Sequence, residues 1–354
     1  MKILAIETSC DDTCSAVLQN DGVLSSVISS QTNLHAKWGG VVPNIAKRAH
    51  SERIGAVIAE SLKRAFKIKK QKSLSDYIEV GMKQIDVVVV TYGPGLAIAL
   101  GVGIEKAKEL ALKYNKKLVA VNHIEGHLLS NWVKNSQGKP VREIVFPALS
   151  LTASGGHSKI VLIKEVGKYE IVGETLDDAA GEALDKAAKL MGLGYPGGAV
   201  IERLALEGDK NWMELPRPLS RQKTFDYSFS GLKTAFYYQI KEWSKEKVSD
   251  NLANLAASFQ EAVFDTLIMK FERAVDIYMP KTLLASGGVM ANENLRKRLR
   301  VLAKSKNLKI YMPPKKELNT DNAAMIGVAG YFKALRGEFV EDIESLDRDA
   351  RARL

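Results

Sequence analysis

Apolar positions along the chain alternate between two spacings. Residues 2–6, apolar from Ile3 to Ile6, predict a strand. A polar loop, 7–13, separates it from a second strand at 15–18. The turn-forming Asn20-Asp21-Gly22 then leads into a third at about 23–29. The spacing next switches to 3.6 residues. Ile54, Val57, Ile58, Leu62 and Phe66 define one face of a long helix over about 45–66. Four valines at 87–90 mark a strand covered on both faces. Tyr92-Gly93-Pro94-Gly95 ends it, a helix follows over about 96–114, and a strand at 118–121 feeds a helix starting near His123.

A second cycle has the same order. Residues 146–153 predict a strand, Ser154-Gly155-Gly156-His157 a tight loop, 159–163 the return strand and 181–191 a helix. The stretch from about 196 to 250 is polar and reads as irregular. A long helix then carries Leu252, Leu255, Phe259, Val263, Leu267 and Phe271 on one face and closes at Pro280. Strands at 281–285 and 308–312 flank a helix at 292–304, and a last helix spans about 321–335. An α/β unit occurring twice implies two lobes with a ligand cleft between them. The expected lobes are 1–140 plus 321–354, and 141–320 with an insertion around 196–250.

Composition narrows the function classes. The 354 residues suit two domains of ordinary size. No apolar run approaches the ~20 residues that span a bilayer, and the start turns acidic too soon for a signal peptide, so a cytoplasmic protein is expected. Two cysteines, Cys10 and Cys14, make no disulfide framework. Fifty-one Lys and Arg against 41 Asp and Glu, a net charge of +10, suit a polyanionic partner such as RNA. The densest basic stretch, 63–72, lacks regular aromatic interleaving and so argues for phosphate contact or solubility over base readout.

Several turns can carry chemistry. Loop 7–13 offers hydroxyls, backbone N–H groups and the carboxylates Glu7, Asp11 and Asp12, which together can hold an anion and leave an acid over. Ser154-Gly155-Gly156-His157 occupies the equivalent place in the second half, where two glycines allow close backbone approach. Ser286-Gly287-Gly288 with Asn292 joins a strand to a helix, a setting that favours an anion or a nucleotide. It matches neither a Walker A loop nor a dinucleotide fingerprint. The sharpest pattern is His123-Ile124-Glu125-Gly126-His127, which sets two of only five histidines at i and i+4 on one helix face, within reach of one metal ion. Glu125 lies roughly 200° around the helix from both, so the metalloprotease arrangement is excluded. Asp321, opening the last helix behind an expected Thr320 cap, is the candidate third ligand. Two His and one carboxylate with open positions suit Fe(II) or Zn(II) acting as a Lewis acid.

From residue 1 to about 335 the chain resembles the tRNA N6-adenosine threonylcarbamoyltransferase family, in its bacterial form called TsaD. The matching segments are IETSCDDT, HAKWGGVVP with Arg48 and His50, TYGPGLAIALGVG, VNHIEGHLLS, TASGGHSKI, DDAAGEALDKAAKLMGLGYPGG, FDYSFSGLKTA, LASGGVMAN and NTDNAAMIG. The resemblance implies the actin-like, sugar-kinase-like (ASKHA) fold. It also implies transfer of threonylcarbamoyl from threonylcarbamoyl-AMP to N6 of the adenosine beside the anticodon, in tRNAs reading codons that begin with A. By the same resemblance His123, His127 and Asp321 are the metal ligands, with Fe(II) expected first and Zn(II) the alternative. Thr152, Ala153, Ser154, Gly155, Gly156, Asp185, Gly198 and Asn292 are the nucleotide-substrate contacts, so an adenine nucleotide fits there. Asp11 is the acidic residue for proton removal or substrate orientation. A TsaB-type paralogue and a TsaE-type ATPase are the implied partners alongside tRNA, and no membrane is involved. The chain departs from the family pattern at Asn44 (Glu expected) and Trp38 (Tyr or Phe expected). The stretch 68–84 is longer than usual, and the charged tail after about 338 has no match. The rival readings are an ATP-dependent kinase of the same fold and a non-catalytic partner subunit.

Overall fold

The computed structural model describes residues 1–313 and 315–354. They form two compact units, one of Met1–Glu143 with Pro313–Leu354, the other of Ile144–Met312.

The first unit is built on β1 (Lys2–Glu7), β2 (Asp12–Gln19), β3 (Gly22–Ser30), β4 (Val87–Gly93), β5 (Lys117–Asn122) and the two-residue β6 (Lys134–Asn135), in the order β5-β4-β1-β2-β3-β6. β1, β2 and β3 pair antiparallel, while β1–β4 and β4–β5 are parallel. The second unit has β7 (Ala148–Ala153), β8 (Ser158–Glu165), β9 (Lys168–Glu174), β10 (Thr282–Ser286) and β11 (Lys309–Tyr311), in the order β11-β10-β7-β8-β9 with the same parallel and antiparallel pairings. Five strands are therefore duplicated in order and sense. The four valines of β4 are buried, as expected for a strand covered on both faces.

In the first unit the helices Pro43–Phe66 and Ala97–Lys113 cover one side of the sheet, and Leu4, Ile6, Ile58, Leu62, Val88, Val90 and Leu100 form the core between. The final helix, Ala323–Leu335, lies close on the sheet through glycines. A Cβ on Gly327 would stand 2.2 Å from Leu18 and one on Gly330 2.4 Å from Val89. In the second unit the helix Leu252–Tyr278 is the centre of the core, with Phe259, Phe264 and Phe271 fully buried. Each such ring contributes about 2–3 kcal/mol of transfer free energy.

Four stretches differ from the pattern reading. Residues 196–250, expected to be irregular, contain the helices Gly197–Ala205, Ser230–Ile240 and Lys245–Asp250. Leu232, Phe236 and Ile240 are a buried i, i+4, i+8 stripe, obscured in the sequence by the exposed Tyr237 and Tyr238. The loop before them is tied down at two points. Lys270 Nζ donates to the carbonyls of Leu219, Gln222 and Thr224. Asp177 accepts from Phe229 N, Ser230 N and the hydroxyls of Ser228 and Ser230. β9 was not located in the sequence because it is a half-exposed edge strand with few apolar residues. The extra stretch 68–84 holds a short helix, Leu74–Met82, started by a Ser73/Asp76 capping box. The charged tail packs onto the first unit. Val340 N donates to Leu118 O and Asp349 N to Tyr92 O, while Val340, Ile343 and Leu346 contact the core. Among the described residues no helix is long and apolar enough to cross a membrane.

Candidate functional site

In the first unit β5 ends at Asn122, whose Oδ1 accepts from Ile124 N (2.8 Å) and Glu125 N (3.4 Å) and so starts the helix His123–Leu129. All seven residues of this helix are buried. Its i, i+4 histidines stand with ring centroids 4.7 Å apart and planes at 82°. Gly126, between them, faces the last helix; a Cβ there would meet Ile326 Cδ1 at 2.6 Å. This close packing brings in the segment that precedes the last helix. Asp321 Oδ1 lies 3.4 Å from His123 Nε2 and 3.3 Å from His127 Nε2, with a quarter of its side chain accessible. Asp321 does not open the helix as the sequence reading had it. Asn322 is the cap, accepting from Met325 N at 2.9 Å, and Thr320 bonds back to Glu317 O. Because Asn322 takes the cap position, Asp321 is free to face the histidines.

These donors fit a divalent ion. With bonds of about 2.0–2.1 Å, two donors at a tetrahedral angle stand about 3.4 Å apart, and the three ligand atoms here all lie within 4.8 Å of one another. Both ring nitrogens of His127 are buried without a hydrogen-bond partner; the Asp321 approach lacks hydrogen-bond geometry. Such orphaned groups cost about 1–3 kcal/mol each, and a cation held at Nε2 would relieve that cost for this nitrogen. Glu125 is not in the set. It is buried and 3.9 Å from Arg336 Nη2.

The electrostatics of the centre extend to Glu7, at the end of β1. Glu7 Oε2 is 3.0 Å from His123 Nδ1 and accepts from Thr91 Oγ1 at 2.6 Å, and Oε1 accepts from Ser9 N. With Nδ1 engaged by the carboxylate, Nε2 of His123 is the nitrogen presented beside Asp321, the usual support for a metal-binding histidine. Burial raises the Glu7 carboxyl, but the His123 charge overrides this and holds it below its ordinary range. Burial likewise opposes the His123 imidazolium, yet Asp321 and Glu7 outweigh it and push His123 up to about 10. For His127 burial prevails and its pKa falls. The two rings are thus shifted in opposite directions.

Asp11 lies on the turn between β1 and β2. Burial raises its carboxyl, with a hydrogen bond from Cys10 opposing. Asp12, the first residue of β2, is pushed up to about 7, by burial first and then by the charges of Asp11, Asp321 and Glu7. His50 braces this turn: Nδ1 is 2.8 Å from Thr13 Oγ1 and Nε2 3.0 Å from Cys10 O. Sequence reasoning counted Glu7 and Asp12 only as members of an acidic loop. The signal for Glu7 was a carboxylate directly following the apolar run Ile3–Ile6.

In the second unit the remaining candidates gather at the carboxyl ends of the parallel strands β7 and β10. Thr152 and Ala153 end β7. Thr152 Oγ1 is 3.2 Å from Ser286 Oγ on β10, and Gly287 (φ 94°) passes so close that a Cβ would lie 2.3 Å from Ala153 O. Ser154 closes its turn with His157 twice, Ser154 N donating to His157 O (2.7 Å) and His157 N donating to Ser154 Oγ (3.2 Å), and its carbonyl accepts from Gly181 N at 3.2 Å. Asp185 Oδ1 accepts from Gly197 N (2.7 Å) and Gly198 N (3.1 Å), holding the start of the helix Gly197–Ala205. The turn Gly288–Ala291 packs against β7, β10 and the helix Ala180–Leu190. Asn292 caps the helix Glu293–Ser305 through Asn294 N and Leu295 N and donates to Gln260 Oε1, so this helix start is already satisfied by protein. Cβ positions on Gly155, Gly156, Gly198 and Gly288 would meet nothing within 4 Å, leaving room for a ligand against bare backbone.

The duplicated strand order places the protein in the actin-like, sugar-kinase-like ASKHA class, and the buried His–His–Asp set adds a candidate metal centre to it. Among solved structures, the T. kodakarensis HypF structure matches 97% of this chain and 48% of that chain at a TM-score of 0.54 and 13% identity. A full-length HypF in a phosphate- and nucleotide-bound form matches at 0.55 and 14%, covering 94% of this chain and 46% of that chain. The chain thus spans about half of those longer proteins, and the likeness is one of fold. A family profile described as tRNA N6-adenosine threonylcarbamoyltransferase matches residues 22–328. Curated relatives of that name include one from Thermosipho africanus, 44% identical over 331 residues (94% of each chain), and one from Thermodesulfovibrio yellowstonii, 44% identical over 357 residues (100% of this chain and 99% of that one). The chain belongs to the tRNA N6-adenosine threonylcarbamoyltransferase family, a family of transferases.

Proposed function

We propose that this transferase moves the threonylcarbamoyl group from threonylcarbamoyl-AMP to N6 of the adenosine beside the anticodon, in tRNAs reading codons that begin with A. The observation that carries the reading is the convergence of His123, His127 and Asp321 in a chain of this family. An exocyclic adenine amine is a weak nucleophile and a mixed anhydride with AMP is a good acyl donor. Catalysis therefore needs alignment and stabilisation of developing charge more than covalent help. The N6–carbon bond forms, the bond from the carbamoyl carbon to the phosphate oxygen breaks, and AMP leaves with the electron pair.

The residues divide these tasks. Thr152 to Gly156, Asp185, Gly198 and Asn292 hold the adenylate, with the open glycines allowing its phosphate to meet backbone N–H groups. Asp11 receives the amine proton or orients the acceptor, and Asp12, held near neutrality, shares that turn. His123, His127 and Asp321 hold one divalent ion. Fe(II) is favoured and Zn(II) is the alternative; when bound, the ion acts as a Lewis acid toward a substrate oxygen. A net charge of +10 supports phosphate contacts with tRNA. A TsaB-type paralogue and a TsaE-type ATPase are the expected partners, and the cytoplasm the expected compartment.

The test is to incubate the purified protein and these partners with tRNA and threonylcarbamoyl-AMP, then digest the tRNA and analyse it by mass spectrometry. Threonylcarbamoyladenosine from the native protein and none from His123→Ala is the expected result. Its absence from the native reaction, with folded protein and partners bound, overturns the reading. ATP turnover dependent on a small alcohol would then point to a kinase.

A further inference from the structure

We propose that Trp38, in an acid-free stretch of chain that also carries the exposed Lys37 and Lys47, is a stacking platform for an unpaired base of the tRNA loop that carries the acceptor adenosine. The inference rests on the tRNA-acylating reading and adds a specific contact to it.

Trp38 is 64% exposed. One exposed apolar side chain means little by itself; its surroundings decide. The other three tryptophans have occupied rings. Trp132 stands edge-on to Phe332 at 6.5 Å, Trp212 and Trp243 pair at 5.9 Å, and Lys247 covers Trp243 at 4.2 Å. Trp38 has no ring or cation partner among the described residues.

The turn that presents it is firmly held. Ala36–Trp38 form a single 3-10 turn closed by Gly39 in the left-handed region (φ 66°). His35, just before it, is fully buried. Its Nδ1 accepts from Val42 N at 3.2 Å, so the proton sits on Nε2, 3.2 Å from Gln31 Oε1. Gln31 N in turn donates to the Asp11 carbonyl at 3.0 Å. A chain of hydrogen bonds therefore links the Trp38 turn to the loop bearing Asp11.

Charge selects the occupant. From residue 22 to residue 51 the sequence contains no Asp or Glu but carries Lys37, Lys47 and Arg48. Arg48 pairs with Glu52 at 2.8 Å, while Lys37 and Lys47 are exposed and have no acidic partner among the described residues. An open indole in an acid-free stretch with two exposed ammonium groups suits an unstacked RNA base and its flanking phosphates better than an apolar protein surface.

The experiment measures binding of labelled tRNA to the full-length protein alongside steady-state transfer. Trp38→Ala is expected to weaken tRNA binding about 5- to 30-fold, equivalent to about 1–2 kcal/mol for one stacked base. The KM for tRNA rises by the same factor, with kcat at saturating tRNA and metal content held within about twofold. Trp38→Phe retains most of the affinity. Lys37→Gln with Lys47→Gln lowers the salt dependence of binding by about one to two ion equivalents. Native-like binding by Trp38→Ala overturns the platform, as does a loss confined to a protein partner, or a Trp38→Phe variant as weak as Trp38→Ala. Native protein that fails to acylate tRNA overturns the transferase reading instead, so the two failures are separable.

Discussion

β1 and β7 occupy the same position in their sheets, and each runs into a turn bearing candidate chemistry, yet the two turns are furnished differently. After β1 the groups are ionisable: Glu7, Asp11 and Asp12, with His123, His127 and Asp321 in the same unit. Several are buried with incomplete hydrogen bonding, as the two His127 nitrogens and Asp12 Oδ1 show. After β7 the groups are small and their polar partners are nearly all internal: Ser154 with His157, Asp185 with two glycine N–H groups, Asn292 with Gln260 and its own helix. One fold position is thus furnished in two ways. Around the first turn charge is concentrated and polar atoms are left unsatisfied; around the second the polar atoms are satisfied and space is left at glycines.

The strongest way to break this comparison is to remove each histidine in turn. His123→Ala and His127→Ala are both expected to lose the metal, with affinity down at least about 100-fold in a chelator competition. Their metal-free stabilities should diverge. His123→Ala strands the buried Glu7 carboxylate and should cost about 3–5 kcal/mol in chemical denaturation, whereas His127→Ala removes a ring that bonds to nothing and should cost clearly less. Equal losses would mean that His127 is satisfied in a way the structure does not show.

Glu7→Gln comes next. It keeps the shape but loses the carboxylate that holds the His123 tautomer, so metal affinity should fall about 10–100-fold. Measuring the metal dissociation constant together with thermal stability separates this effect from misfolding. In the second unit Asp185→Asn should weaken adenylate binding by about 10-fold, since a charge-assisted bond to backbone N–H is worth about 1.5–3 kcal/mol. Metal content should be unaffected. A loss of metal in this variant would erase the proposed division between the units.

The smallest effect concerns Asp12. Its carboxyl rises from an ordinary 3.8 to about 7 on folding, so the folded chain binds a proton that the unfolded chain has released. Stability from this group is full below about pH 4 and is lost as the pH rises through about 7. In chelator-treated protein, Asp12→Asn should therefore gain on the parent between pH 5 and pH 8, with a melting-temperature difference widening by about 2–4 °C per kcal/mol. A difference that stays flat or narrows would mean that Asp12 is ionised throughout.

Much of the fold was legible along the chain because burial imposes a period. The four valines of β4, the stripe on Pro43–Phe66 and the stripe on Leu252–Tyr278 each carry their environment in their spacing. Where a surface is half-exposed the period is diluted, which is why β9 and the helix Ser230–Ile240 were not evident. The i, i+4 histidines were visible for the same periodic reason. Asp321 was visible as a carboxylate but not as a residue outside its helix, because Thr320 and Asn322 are both good caps and only packing selects between them.

The sequence by itself determined the duplicated α/β order, the glycine turns and the two histidines on one helix face, since each follows from the local geometry of a few neighbouring residues. Only the tertiary structure decided that Asp321, close to 200 residues further along, meets those histidines, that Glu7 rather than another acid of its loop supports His123, and that Trp38 stands with its ring uncovered. Those are contacts between residues remote in sequence. They depend on how closely two backbones approach, as at Gly126, and that distance is set by packing of the whole unit and not by any local pattern.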